Sequence, residues 1–137
     1  MFEKCIDYGL HDTFINDIII EENGLIFLFQ EGVYVLDDTG KETTLSKPCK
    51  MRIYIDDFDS NRLFEHCSFY KCHKNRFSEV DLSEIKKQLS KNRLDIDLDF
   101  YSPFARAISI RGCIGKYTVE IRITEIQSIN FEMQNSI

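Results

Sequence analysis

The fold is decided by RLDIDLDF, residues 93–100, in which apolar and charged side chains alternate without a break. Successive side chains of a strand point to opposite faces, so this pattern predicts a strand with one face in the core and the other in water. The side chains predicted to enter the core are Leu94, Ile96, Leu98 and Phe100.

Other apolar runs lie on both sides of this segment, at spacings of roughly ten residues. Between two of them Asn23-Gly24 predicts a tight hairpin, because this pair supplies the positive φ angles that such turns require. Gly112 to Gly115 predicts another turn. The runs predicted as strands are 14–21, 25–30, 33–37, 42–45, 51–55, 63–73, 94–100, 105–111, 117–124 and 126–133.

A single helix is predicted over about residues 82–91. Asp81 followed by Glu84 is typical of a capping box, in which the two side chains satisfy free N–H groups at the start of a helix. Leu82, Ile85 and Leu89 then share one face, so the helix is predicted to pack against the core along that face.

Roughly nine or ten short strands with one helix predict a mainly β protein, an antiparallel β-sandwich or a partly open barrel. A parallel βαβ architecture is excluded, because each parallel crossover needs about a dozen residues and usually a helix. Composition and length favour one β-rich domain over residues 1–137.

The net charge of −6 and the pI near 5.1 exclude an extended nucleic-acid interface, which needs clustered Lys and Arg. The nearest basic cluster, Lys71, Lys74 and Arg76, is interpreted as a solvated face. Since no apolar run approaches the roughly 18 residues of a membrane span, no membrane partner is expected. These features favour a cytoplasmic protein.

The five cysteines, an odd number at irregular spacing, are unlike a secreted disulfide framework and predict free thiols. A cluster at His66, Cys67, Cys72 and His73 has the composition of a zinc site. On a straight strand, however, the same-face pairs lie about 20 Å apart. The cluster is therefore a weak metal candidate, and packed thiols beside a polar edge are the favoured interpretation. No cofactor is predicted.

Asp95, Asp97 and Asp99 form a predicted row of carboxylates about 6.5 to 7 Å apart along one strand face. Catalytic carboxylate pairs lie across a cleft in distinct environments, which this row does not offer. A solvated face is favoured, with Arg106 or Arg122 on a neighbouring strand as the expected partners.

The segment Leu10-His11-Asp12-Thr13 precedes the first apolar run. Asp12 and Thr13 are predicted to satisfy backbone groups where the strand begins, as short polar side chains often do. Ile15, Ile18 and Ile20 are predicted to point inward, and the step of three between the first two predicts a bulge at Asn16-Asp17.

The pattern Leu10-His11-Asp12-Thr13-x-Ile15-x-x-Ile18, followed by Leu25-x-Phe27-x-Phe29, resembles the LHD(S/T) opening of several small bacterial β-rich families. Some members of those families are proposed immunity proteins encoded beside toxins. The resemblance covers about residues 10–29 and implies a bacterial cytosolic β-domain. It implies no catalytic residue.

The sequence favours a non-enzymatic protein-binding module, with an immunity or antitoxin-like role as one form of it. Interface energy concentrates in a few aromatic and charged residues. One alternative is a homo-oligomeric structural β-domain whose strand edges pair. The other is a metal-binding protein or enzyme that uses His11 and Asp12 or the segment 66–73. The candidate binding residues are His11, Asp12, Asp95, Asp97, Asp99 and Tyr101.

Overall fold

The computed structural model describes residues 8–134, and this part of the chain is mainly β. It contains thirteen strands in three antiparallel sheets, one α-helix and one 3-10 helix. The predicted fold class, a mainly β antiparallel protein of the sandwich-like type, is confirmed. The number of strands exceeds the prediction, because very short strands and one polar strand escape a search for apolar runs.

The helices are a 3-10 helix at Ser60–Glu65 and α1 at Leu82–Leu89. The strands are β1 (Tyr8–Gly9), β2 (Phe14–Ile15), β3 (Asp17–Glu21), β4 (Gly24–Phe29), β5 (Tyr34–Leu36), β6 (Glu42–Leu45), β7 (Cys49–Ile55), β8 (Cys67–His73), β9 (Arg76–Val80), β10 (Leu94–Ser102), β11 (Ala107–Ile114), β12 (Tyr117–Ile123) and β13 (Ile126–Met133).

The largest sheet has six strands in the order β2-β10-β11-β12-β8-β9. A four-stranded sheet has the order β13-β7-β4-β3, and a small third sheet the order β1-β5-β6. Alternate residues of the two larger sheets and one face of α1 form a single buried cluster. In β7 the buried and half-buried positions alternate along the whole strand, as a one-sided packing surface requires.

The described chain passes between the two larger sheets three times, over the connection 56–66 and at two sharp corners, Asn16 and Thr124–Glu125. At the first corner Asn16 N–H donates to the Leu28 carbonyl at 2.8 Å. The predicted bulge at Asn16-Asp17 is therefore wrong, because the chain switches sheets between β2 and β3 at this point. Ile15 and Ile18 are fully buried on either side of it. Ile20 is 40% exposed, so its predicted place in the core is wrong.

The hairpin between β3 and β4 is confirmed, with Glu22 and Asn23 as the turn residues. The predicted reason is wrong, since neither Asn23 nor Gly24 has a positive φ angle. Gly24 is required by close approach instead. A Cβ atom there would lie 1.9 Å from the Ile53 carbonyl oxygen on the neighbouring strand.

The predicted cap of α1 is confirmed, because the Asp81 side chain accepts a hydrogen bond from Glu84 N–H. The helix ends at Leu89, two residues before the predicted end near 91. Its predicted inner face is buried in the core, and on its outer side Lys86 Nζ lies 2.9 Å from Asp17 Oδ1 and donates to the Ile18 carbonyl. This lysine thereby covers the edge of β3. Neither helix of residues 8–134 has the length and apolar character of a membrane span.

Two other predicted boundaries are wrong, and one strand is missing from the prediction. The predicted strand 63–73 begins as the 3-10 helix, and only Cys67–His73 pairs as β8. The predicted turn at Gly112 lies inside β11, and the chain turns later, around Gly115. β9 was not predicted, because its sequence RFSEV lacks an apolar alternation. It is held by a two-residue turn with positive φ angles at Lys74 and Asn75.

Candidate functional site

A β-bulge divides β10 at Asp97. Ile96 lies opposite Gly112 on β11, while Leu98 lies opposite the next residue, Arg111, so that Asp97 is the extra residue. The strands approach closely here, since a Cβ atom at Gly112 would lie 2.1 Å from the Asp95 carbonyl oxygen. A glycine inside a strand is a typical partner of such an irregularity.

The bulge reverses the two faces of β10 beyond Asp97, because one extra residue shifts the alternation by one position. Leu94 and Ile96 are buried, as predicted. Leu98 and Phe100 are 59% and 67% exposed, so their predicted place in the core is wrong. Two large apolar side chains of the six-stranded sheet therefore face solvent.

The same reversal turns Asp99 and Tyr101 toward the core side, where they lie opposite the buried Ile110 and Ile108. Burial raises the pKa of the Asp99 carboxyl, nearby His11 lowers it, and Glu42 raises it again. Asp95 and Asp97 remain exposed. The predicted row of three carboxylates on one strand face is therefore wrong.

Beside the exposed half of β10, a buried carboxylate holds two arginines on the outer face of the six-stranded sheet. Glu120 on β12 is 6% exposed. Its Oε1 accepts from Arg111 Nη2 at 2.7 Å, and its Oε2 lies 2.5 Å from Arg122 Nη2. Both guanidinium groups are about half-exposed, so part of their hydrogen-bonding capacity faces solvent.

Aromatic rings complete this surface. The Arg122 guanidinium lies 5.1 Å from the centroid of the Tyr70 ring, an arrangement that favours a cation–π contact. We call the set of Leu98, Phe100, Arg111, Glu120, Arg122 and Tyr70 the outer patch. Aromatic, apolar and arginine side chains in close proximity are the composition of protein–protein interface centres.

The predicted corner at His11, Asp12 and Thr13 lies at the side of β10. Thr13 is buried, and its Oγ1 donates to the Leu10 carbonyl at 2.6 Å, which confirms its predicted role toward the backbone. Asp12 has a φ angle of 60°, and its Oδ2 lies 3.1 Å from His11 Nδ1. His11 and Asp12 are both exposed, and His11 also acts on Asp99, whose pKa it lowers.

The segment 66–73 does not bring its four candidate ligands together. Cys67 belongs to the core, where burial raises the pKa of its thiol to about 12. Cys72 is on the opposite face of the strand, and the His73 ring packs at a tilt against the Tyr117 ring, with 5.1 Å between the ring centroids. Across residues 8–134 no three His, Cys, Asp or Glu side chains gather in a way that could hold a metal ion.

His66 lies apart from these residues at the second corner between the sheets. Its ring is buried, with Nδ1 3.2 Å from Glu125 Oε1. The two atoms are poorly aligned for a hydrogen bond, and in the described chain neither nitrogen of the His66 ring has a hydrogen-bond partner. The cysteines of this part of the chain, Cys49, Cys67, Cys72 and Cys113, are free thiols, as predicted, while Cys5 lies outside the described residues.

The two arginines that were predicted to pair with the carboxylate row pair with other residues. Arg122 pairs with Glu120 on its own strand, and Arg106, in the turn between β10 and β11, pairs with Asp56 just after β7. A sequence signal for the first pair exists, because Glu120 and Arg122 are two residues apart in an alternating strand and share a face. The burial of Glu120 depends on its neighbours in the sheet, which the sequence does not reveal.

Comparison of the chain with family models, with curated proteins and with solved structures finds no match.

Proposed function

We propose that the chain is a non-enzymatic protein-binding module that docks through the outer patch. The observation that carries the proposal is the bulge at Asp97, which turns Leu98 and Phe100 into solvent beside the two arginines held by Glu120. Covering a large apolar side chain contributes about 1.5–3 kcal/mol, so the exposed pair offers a substantial gain on association.

The charges of the patch indicate what the partner presents. Glu120 neutralises only one of the two arginine charges, and both guanidinium groups reach solvent. A partner carboxylate placed over Arg111 or Arg122 would form a charge-assisted hydrogen bond in a site from which association excludes water. The proposed partner surface therefore combines apolar side chains with at least one Asp or Glu.

An immunity or antitoxin-like role is the specific form of this function that the Leu10–Phe29 resemblance supports. In this form the protein acts in the bacterial cytoplasm, and its partner is a toxin encoded by the adjacent gene. The module needs no active site, since it acts by covering a surface of that toxin. His11, Asp12 and the exposed Asp95 and Asp97 would then contribute charge at the margin of the interface.

Co-expression with the products of the two flanking genes tests the proposal. We expect the wild-type chain to co-elute with one of them in size-exclusion chromatography and to relieve its effect on growth. The double variant Leu98→Asp/Phe100→Asp is expected to lose both properties. The matched control Leu45→Asp changes an exposed leucine of the third sheet and is expected to keep them.

The proposal is wrong if neither flanking protein binds the wild-type chain, or if the double variant binds as well as Leu45→Asp. Circular dichroism of each variant separates loss of binding from loss of fold.

A homo-oligomeric structural domain is the second candidate, and the free edge of β9 favours it. All but the last residue of this strand are exposed, and nothing in residues 8–134 pairs with its outer side. An edge of this kind can accept a strand from a second copy. Sedimentation equilibrium tests this candidate, since a dimer abolished by Phe77→Pro, at a position whose N–H points away from β8, would support it and a monomer at high concentration would remove it.

A further inference from the structure

A groove of about 400 Å³ lies at the β8–β9 end of the six-stranded sheet, next to the Tyr70 side of the outer patch. Its walls come from the 3-10 helix, the start of β8, the end of β9 and the start of α1. The lining is mainly apolar, and its size falls in the range of about 300–1,000 Å³ typical of ligand sites. The apolar side chains are Leu63, Phe64, Phe69, Val80 and Leu82.

The charged side chains of the groove have one sign. Glu79 and Asp81 line it, and no Lys, Arg or His of residues 8–134 does so. Hydrogen bonds from the Ser83 hydroxyl and the Glu84 N–H lower the pKa of Asp81, so this carboxylate is ionised at neutral pH. Glu79 is exposed at the rim. The groove therefore favours a ligand that carries positive charge next to an apolar group.

The thiol that lines the groove is unsuited to nucleophilic chemistry. Cys67 lines the groove, but burial raises the pKa of its thiol to about 12. The nucleophilic form of cysteine is the thiolate, which is therefore scarce at this position.

The backbone at the groove offers partners for an extended chain. The Lys74–Asn75 turn makes His73 and Arg76 a hydrogen-bonded pair, and such pairs recur at every second residue up to Phe69 and Val80. By the same alternation the N–H and C=O groups of Cys67 point to the side where β9 has ended. The Thr124 N–H donates to the His66 carbonyl on the opposite side, which agrees with this assignment.

We propose that the groove binds an extended segment of a partner protein that carries an apolar side chain directly beside a Lys or Arg. The apolar side chain enters between Phe64 and Leu82, the cation meets Glu79 and Asp81, and the segment's backbone meets that of Cys67. This is strand addition combined with a side-chain pocket. The groove adjoins Tyr70 of the outer patch but lies three strands from Leu98 and Phe100, and the proposal does not rest on the function proposed for the patch.

Selection from a phage-displayed library of random dodecapeptides tests the site. We expect peptides selected on the wild-type chain to be enriched in a Phe, Leu, Ile or Val adjacent to Lys or Arg. A selected peptide, made synthetically, is expected to shift the amide NMR signals of Phe69, Val80 and Leu82. Glu79→Lys should weaken its binding about tenfold, as expected when a close charge pair becomes a like-charge pair.

Three controls make the outcome decisive. Glu22→Lys places the same charge reversal on an exposed turn, and Leu45→Ser matches a Phe64→Ser variant of the groove wall. Both controls should bind like the wild type, whereas Phe64→Ser should bind more weakly. Leu98→Asp/Phe100→Asp should also bind normally, which distinguishes this site from the outer patch.

Selected peptides without the apolar–basic pair, NMR shifts confined to another surface, or equal binding to Glu79→Lys and Glu22→Lys would each overturn the proposal.

Discussion

The two halves of β10 have the same alternating sequence but opposite placements. In the first half, Leu94 and Ile96 are buried and Asp95 is exposed. In the second half, Leu98 and Phe100 are exposed and the carboxylate of Asp99 turns toward the core side. The sequence pattern determines that β10 is a strand, while the pairing with β11 determines which face of each half is buried.

The difference has a functional meaning because a regular strand would have buried all four apolar side chains. The bulge leaves two of them exposed beside Arg111 and Arg122. Burying each of these side chains would contribute about 1.5–3 kcal/mol to stability. Bulges are frequent next to functional sites, where they re-aim a side chain. The exposed half of β10 is therefore the part of the fold that we connect with binding.

The largest expected effect is the loss of stability when a charge is introduced into the buried half of β10, compared with the same change in the exposed half. Ile96→Asp should destabilise the protein by about 4 kcal/mol or more, because it leaves a cavity and an unpaired buried carboxylate. Leu98→Asp should change the free energy of unfolding by no more than about 0.5 kcal/mol, as surface changes do. Urea denaturation measures both. Similar losses in the two variants would contradict the difference between the halves.

Glu120→Gln tests whether the ion pairs of Glu120 with Arg111 and Arg122 stabilise the surface beside the exposed half of β10. Removing one member of a fully buried ion pair costs about 3–5 kcal/mol, but both arginines here reach solvent, so we expect about 1–2 kcal/mol. Glu79→Gln changes an exposed glutamate of the same sheet and serves as the control, with an expected change below about 0.5 kcal/mol. Chemical denaturation that finds the two variants equal would show that Glu120 does not organise the patch.

Deletion of Asp97 tests the bulge itself. Because Asp97 is the extra residue, its removal leaves every pair with β11 in place and should cost about 1 kcal/mol. Deletion of Asp99, which is paired with Ile110, shifts the later residues of the strand to the wrong face and should be far more harmful. Thermal melts that show equal damage from the two deletions would argue for a strand without a bulge.

The smallest expected effect is a pH dependence at Asp99. Its folded pKa lies above the ordinary value, so the folded state holds this proton more tightly than the unfolded state. The wild type therefore loses stability as the pH rises through the folded pKa, and Asp99→Asn does not. We expect a higher melting temperature for Asp99→Asn at pH 7, with the difference closing toward pH 3.

Asp95→Asn, at an exposed position of the other half, should show no such trend in the same melts. A melting temperature of Asp99→Asn at pH 7 equal to or below that of the wild type would contradict the assigned burial.

The elements that the sequence predicts correctly are those whose cause is local. The cap of α1 depends on Asp81 and Glu84, three residues apart, and the hairpin between β3 and β4 joins two adjacent apolar runs. Both are therefore visible in a short window. β9 is missed because its four exposed residues have no apolar pattern to detect.

The candidate site is less predictable, because it arises from pairing between distant residues. The sequence around Leu98 does not indicate that the register with β11 shifts by one residue there. The relevant signal is Gly112, which lies opposite Ile96 and tolerates the close approach of the two strands. Likewise the burial of Glu120 follows from its position between Arg111 and Tyr70 on neighbouring strands, a register that one chain segment does not encode.

Solvent paramagnetic relaxation of the Leu94 and Leu98 methyl groups tests the central claim most directly. The two leucines belong to one strand and both occupy apolar positions of the same alternating pattern, yet Leu94 is 1% exposed and Leu98 is 59% exposed. With a soluble gadolinium chelate, we expect strong relaxation of the Leu98 methyl signals and little effect on those of Leu94. Equal protection of both leucines would contradict the bulge and, with it, the docking face.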